Sequence, residues 1–135
     1  MVGIIVASHG QMAQGLLDTT KWFFGDQPQF EAICLQPGQD LEEFDQIIQD
    51  TIARVDSGDG VILFCDLLFG TPCNRSALAL RDGVEVITGM NLPVILELLG
   101  CREFTEESLK ELTTRMIEVA REGIKDLKAV LDEVA

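Results

Sequence analysis

His9 is the only histidine in the 135-residue chain. It closes an apolar, β-branched run, Val2-Gly3-Ile4-Ile5-Val6-Ala7-Ser8, and Gly10 follows it. A single imidazole at such a point suits proton transfer, metal binding or acceptance of a phosphoryl group. A second polar stretch, Asp66-Leu67-Leu68-Phe69-Gly70-Thr71-Pro72-Cys73-Asn74, ends another apolar run. Asp66 offers a carboxylate that can accept from one ring nitrogen, fix the tautomer and leave the other nitrogen free. Gly70-Thr71-Pro72 can present main-chain N–H groups and a hydroxyl at a helix start, a setting suited to an anion. Ser8, beside the histidine, is a further candidate donor. A nucleophile, an orienting acid and an anion cradle favour phosphoryl acceptance over metal chemistry. A Ser-His-Asp hydrolase is the rival, with Ser8 or Thr71 as nucleophile, although no G-x-S-x-G elbow is present. Each residue also has a plainer reading. His9 and Asp66 can be turn residues, Asn74 a loop hydrogen bond, Arg75 a solvated cation, and Gly70-Thr71-Pro72 a bare helix start. Only their convergence favours chemistry.

Convergence requires a particular scaffold. Strand-like runs fall at residues 2–8, 30–35, 61–65 and 84–88, each followed by a helical period. Val61-Ile62-Leu63-Phe64-Cys65 is apolar throughout, as a strand buried on both faces must be. The first helix covers 11–24, with Met12, Leu16, Leu17, Thr20, Phe23 and Phe24 facing inward and Gly25 as its stop. Asp40 caps a second helix that turns Leu41, Phe44, Ile47, Ile48, Ile52 and Val55 inward. A third starts near Pro72 and runs through Leu80. Asn91 caps a fourth, stopped by Gly100, and Thr105 caps the next, with Glu106 and Glu107 in its first turn. From Leu109 to Val134 the period predicts one long helix, or two with a break near Gly123. The alternation predicts an α/β fold: one doubly wound, mainly parallel sheet of order 2-1-3-4, with helices on both faces. In that order strands one and three are neighbours, so His9 and the Asp66–Asn74 loop meet in the crevice at their carboxyl ends.

Composition narrows the classes. The length predicts a single domain over residues 1–135. A net charge of −13 argues against nucleic acid as the main partner, because a phosphate backbone needs Lys/Arg patches. No run is long enough to span a membrane, and no signal-peptide pattern precedes the first strand, so a soluble cytoplasmic protein is expected. Cys34, Cys65, Cys73 and Cys101 are scattered and have one histidine between them, which argues against zinc. Cys34 and Cys65 read as small buried hydrophobes. Cys73 stands in the loop, and packing outranks a nucleophilic role for it.

Three blocks in order, Ile4-Ile5-Val6-Ala7-Ser8-His9-Gly10, Asp66 to Asn74, and Val86-Ile87-Thr88-Gly89-Met90-Asn91-Leu92-Pro93, resemble the signatures of mannose-type enzyme IIA domains. These belong to the bacterial phosphoenolpyruvate-dependent sugar phosphotransferase system (PTS). The resemblance covers nearly the whole chain, including Arg121-Glu122-Gly123-Ile124-Lys125. It implies that His9 receives phosphate from the phosphocarrier HPr and passes it to enzyme IIB, with Asp66 orienting the ring. Thr71 matches the small hydroxyl residue before the loop proline. Gly89, Asn91 and Pro93 match a Gly-x-Asn-x-Pro loop in a supporting role, beside Leu67 and Asn74 of the second block. It further implies contact with membrane permease components only indirectly, and a homodimer that exchanges a short antiparallel strand near Gly123–Leu127, where periodicity predicts helix. No cofactor and no metal are expected, since amides can carry the phosphate charge. The family loop often reads Gly-Gly-Ser-Pro-Phe-Asn. Here Phe69 replaces its first glycine, Thr71 its serine and Cys73 its phenylalanine, so the hydroxyl is kept and the rim is changed. Two relatives of this reading are a regulatory domain controlled by phosphorylation and the dihydroxyacetone kinase phosphocarrier, whose loop usually lacks the Pro-x-Asn ending.

Overall fold

Alternate residues of the first strand, β1 (Gly3–His9), go to opposite faces of the sheet, and this divides the core in two. The computed structural model describes residues 1–135. After β1 come α1 (Met12–Phe24), β2 (Phe30–Leu35), α2 (Leu41–Val55), β3 (Val61–Cys65), α3 (Thr71–Ala77), β4 (Val84–Thr88), α4 (Leu92–Cys101), α5 (Leu109–Glu122) and α6 (Leu127–Val134). The four strands form one parallel sheet in the order β2-β1-β3-β4, as the alternation predicts. Ile4, Val6, Ile62 and Phe64 pack under α1, α4 and α5 with Ala13, Val94, Ile95, Leu98, Leu112 and Met116. Ile5, Ala7, Val61, Leu63 and Cys65 pack under α2 and α3 with Phe44, Ile48, Ile52, Val55 and Cys73. Each such large side chain, fully buried, contributes about 1.5–3 kcal/mol. That explains why β1 and β3, the two central strands, are apolar on both faces.

Several local expectations are corrected. The buried stripe of α1 is Ala13 and Thr20, with Leu16 and Leu17 packed beside it. Met12 and Phe23 are exposed and Phe24 is partly so, because they stand on the flanks of that stripe. Leu41, expected to face inward, is also exposed at the first turn of α2. The helix after β3 ends at Ala77, and Leu78 and Leu80 lie exposed beyond it. Gly100 does not stop α4. It lies inside the last turn, where a Cβ would come within 3.4 Å of the Phe24 ring. Thr105 does not cap α5 either: its hydroxyl bonds Glu107 locally, while Ser108 and Glu111 form a reciprocal capping box. Asp40 and Asn91 do cap α2 and α4, accepting from Glu43 N–H and Val94 N–H.

The C-terminal period breaks into two helices near Gly123, where a Cβ would lie 2.8 Å from the Pro93 side chain. Asp126 restarts the chain by accepting from Lys128 N–H and Ala129 N–H. Residues 123–126 form an irregular link, and the single chain has no fifth strand there. No residue of α6 is buried.

One buried charge fastens the end of the sheet away from His9. The Arg102 guanidinium is buried and donates to the carbonyls of Val2, Pro28 and Gln29, joining α4 to the entries of β1 and β2. Arg102→Met would strand those acceptors. A loss of about 3 kcal/mol is expected, read as a lower midpoint in urea with an unchanged slope. A midpoint equal to wild type would mean that water replaces the guanidinium there.

Candidate functional site

The chain leaves β1 toward one face and β3 toward the other, so a crevice opens between the carboxyl ends of these neighbours. His9 is the last residue of β1, and Asp66 directly follows β3. Although 57 residues apart, they meet: one oxygen of Asp66, Oδ2, accepts from the His9 main-chain N–H at 2.9 Å and contacts ring Nδ1 at 2.9 Å. An Nδ1–H donated to this carboxylate leaves the Nε2 lone pair free. The His9 side chain is 49% exposed and that of Asp66 only 11%. The imidazole is therefore half open to solvent while the carboxylate beside it is shielded. The second Asp66 oxygen, Oδ1, is buried and makes no hydrogen bond.

The loop after Asp66 is shaped to receive the ring. Gly70 N–H donates to Leu67 O at 3.1 Å, Asn74 N–H to Gly70 O at 2.9 Å, and Asn74 Nδ2 to Phe69 O at 3.2 Å. Asn74 is thus a loop brace. A Cβ at Gly70 would sit 2.7 Å from His9 Cε1 and 3.5 Å from Nε2. Gly70 has an ordinary φ of −72°, so space and not backbone freedom requires glycine. Gly70→Ala should push the imidazole off Asp66, removing the hydrogen-bonded Nδ1–H proton resonance at little cost in stability, because the displaced atoms are the free end of a half-exposed side chain. A retained resonance would show that the loop yields instead.

Because Gly70 N–H is spent on the turn, it is not a free donor for an anion. Thr71 N–H and Cys73 N–H, in the first turn of α3, have no main-chain acceptor. With the Thr71 hydroxyl they are the donors on offer. Ser8 is corrected outright. It is fully buried, its Oγ accepts from Ala13 N–H at 2.7 Å, and its hydroxyl donates to Gly10 O at 3.2 Å. Strand alternation turns it away from His9, so it binds the start of α1 and neither a phosphate nor a scissile bond.

Arg75 is not solvated. Its Nε donates to Asp45 Oδ1 at 2.7 Å and its Nη2 to Oδ2, tying α3 to α2. The hydrogen bond from Arg75 holds the Asp45 carboxyl below its usual value, against the effect of burial. Cys65 is buried, and burial first, then the neighbouring Cys73 thiol, push its thiol up to about 12. It is inert at neutral pH. Cys73 is buried in the same core, as the packing reading expects. Cys34 is only partly buried.

The third sequence block forms a wall beside Asp66. Gly89, at φ 79°, donates its N–H to Cys65 O at 2.8 Å. Asn91 caps α4 and also donates from Nδ2 to Ala120 O at 2.8 Å, while Pro93 packs on Gly123. With Asp66, Thr88, Arg121 and Ile124, Gly89 and Asn91 line a groove of about 490 Å³ along β4. Two features escaped sequence reasoning. One is the approach of Gly70 to the imidazole, which only tertiary packing creates. The other is Phe69 at φ 64°, with its side chain exposed; its one sequence signal is that it stands where the resembling family often has glycine.

The residues 3–117 match the family model described as "PTS system fructose IIA component". The chain is 32% identical over 130 residues to the PTS system mannose-specific EIIAB component of Escherichia coli (strain K12), covering 95% of this chain and 40% of that protein. It thus spans about two fifths of the length of that curated relative. It is also 23% identical to the PTS system fructose-specific EIIA component of Bacillus subtilis (strain 168), covering 95% of this chain and 92% of the relative. Among solved structures, a PTS IIA protein associated with the fucose utilization operon of Streptococcus pneumoniae superposes with a TM-score of 0.83 at 28% identity, over 97% of this chain and 99% of that one. No helix is long and apolar enough to cross a membrane. Sequence blocks, sheet order and these matches agree, and the chain belongs to the mannose- and fructose-type enzyme IIA family of the sugar phosphotransferase system.

Proposed function

We propose that this chain is a phosphoryl carrier, taking phosphate from phospho-HPr on His9 Nε2 and passing it to enzyme IIB during sugar uptake. The observation that carries the reading is the Asp66 carboxylate on Nδ1 of a half-exposed His9, which leaves Nε2 as the outward nucleophile. In the forward step the Nε2 lone pair attacks phosphorus in line. An N–P bond forms, the N–P bond of the HPr phosphohistidine breaks, and its electron pair returns to the HPr ring. Positive charge then resides on the His9 imidazole, where the Nδ1–H···Asp66 contact becomes charge-assisted. Thr71 N–H, Cys73 N–H and the Thr71 hydroxyl bind the phosphoryl oxygens. Catalysis is by positioning and electrostatics, without metal or cofactor. The same step, run from phospho-His9, delivers the group to enzyme IIB.

The setting is cytoplasmic, with the membrane permease reached only through enzyme IIB. A homodimer fits the exposed Ile124, Leu127, Leu131 and Val134, whose apolar surface a second copy would cover. Intact mass after incubation with phosphoenolpyruvate, enzyme I and HPr tests the reading. One added phosphate, lost in acid, is expected. No added phosphate with HPr fully charged would overturn it.

A further inference from the structure

Phe69 combines two costs that the phosphoryl chemistry does not require. Its φ of 64° lies in the left-handed region, which glycine enters freely and a phenylalanine only against steric resistance. The residue is 78% exposed and belongs to neither core cluster, so burial does not offset the strain. The conformation is nevertheless held. Phe69 is the third residue of the turn closed by Gly70 N–H on Leu67 O, and Asn74 Nδ2 grips its carbonyl. The next residue, Gly70, lies against the His9 ring. Strain held at a functional rim is a sign of use.

The surroundings indicate what uses it. Leu67, Leu68 and Met12 are also exposed on the segments that follow β3 and β1. On the other flank, β2 ends at Leu35, the register partner of His9, so the start of α2 belongs to the same end of the sheet. It carries exposed Asp40, Glu42 and Glu43. Arg75 on α3 is neutralised by Asp45. The rim is therefore apolar at its centre and acidic at one side.

We infer that Phe69 is the anchor by which this chain docks its phosphoryl donor, a protein with an apolar recess beside its phosphohistidine and basic side chains around it. This rests on the carrier reading, in which the donor is HPr. Nitrogen-to-nitrogen transfer brings the donor ring over Nε2, and the 67–69 tip then lies under the donor's surface. The left-handed backbone, held by the Leu67–Gly70 turn and the Asn74 amide, fixes the direction in which the side chain leaves the chain before binding, so little backbone entropy is lost on docking. The acidic flank adds steering that salt weakens.

The test is steady-state transfer from phospho-HPr to the full chain, with melting temperatures measured in parallel. Phe69→Gly and Phe69→Asn keep a residue that accepts this backbone and delete the ring; Phe69→Tyr keeps the ring. A KM for phospho-HPr raised at least tenfold in Phe69→Gly and Phe69→Asn is expected. Their kcat should stay within threefold, their melting temperatures should not fall, and Phe69→Tyr should stay near wild type. An unchanged KM in Phe69→Gly overturns the anchor while leaving the carrier reading intact. A raised KM accompanied by a lower melting temperature overturns it too, since the ring would then only support the turn. A loss confined to onward transfer to enzyme IIB overturns the assignment to the donor. Wild-type protein that takes up no phosphate overturns the carrier reading, and the anchor with it.

Discussion

His9→Ala protein is expected to take up no phosphate from phospho-HPr, with transfer reduced at least about 10⁴-fold. His9 is the only imidazole in the chain, so no second ring can substitute. The Ser8 hydroxyl is buried and engaged with Gly10 and Ala13. The Cys65 thiol, at the end of β3, is buried and protonated at neutral pH. Nothing near the crevice offers another nucleophile of matching strength. The fold should survive the change, because His9 is half exposed and belongs to neither core cluster. A mass shift of one phosphate in His9→Ala, with an unchanged melting temperature, would put the acceptor elsewhere.

The second large effect concerns Asp66, where two substitutions separate orientation from charge. Both His9 donors use the same carboxylate oxygen. The single oxygen of an asparagine amide can therefore replace Oδ2 and keep the ring in place, with Nε2 still free. What Asp66→Asn loses is the negative charge opposite the imidazolium that forms as phosphate arrives. A charge-assisted hydrogen bond contributes about 1.5–3 kcal/mol, so single-turnover transfer should slow by about 10²-fold. Asp66→Ala loses the orientation as well and should slow transfer by about 10³-fold. Asn transferring as fast as wild type would show that the charge contributes nothing. Asn slower than Ala would mean that its amide has turned an N–H toward Nδ1 and inverted the tautomer, as a misplaced donor must.

Much of the scaffold was legible because its signals are local. The apolar runs, the caps at Asp40 and Asn91, and Gly25 past the first helix are each written within a few residues, and the observed boundaries follow them. The failures occurred where a second cue, from a neighbouring residue or from packing, overrode the one that had been read. Thr105 has the chemistry of a cap, but the reciprocal bonds of Ser108 and Glu111 begin the helix three residues later. Gly100 has the chemistry of a stop, yet the Phe24 ring covers it within the helix. Ser8 is next to the histidine in sequence and faces the other side of the sheet in space, because a strand's period is two.

By itself the sequence determined the alternation of strands and helices, the parallel order 2-1-3-4 and, through that order, the meeting of His9 with Asp66. The alternation follows from hydrophobic period, which depends on residue type along the chain, and the order from right-handed crossovers in a doubly wound sheet. Only the tertiary structure decided which atoms meet. It placed one oxygen of Asp66 on two donors of His9, brought Gly70 against the ring, spent the Gly70 amide on a turn and left Phe69 strained and exposed. Those outcomes depend on the relative positions of β1, β3 and the loop to within an ångström. No run of residue types specifies such distances, since they are set by the packing of two core layers against one sheet.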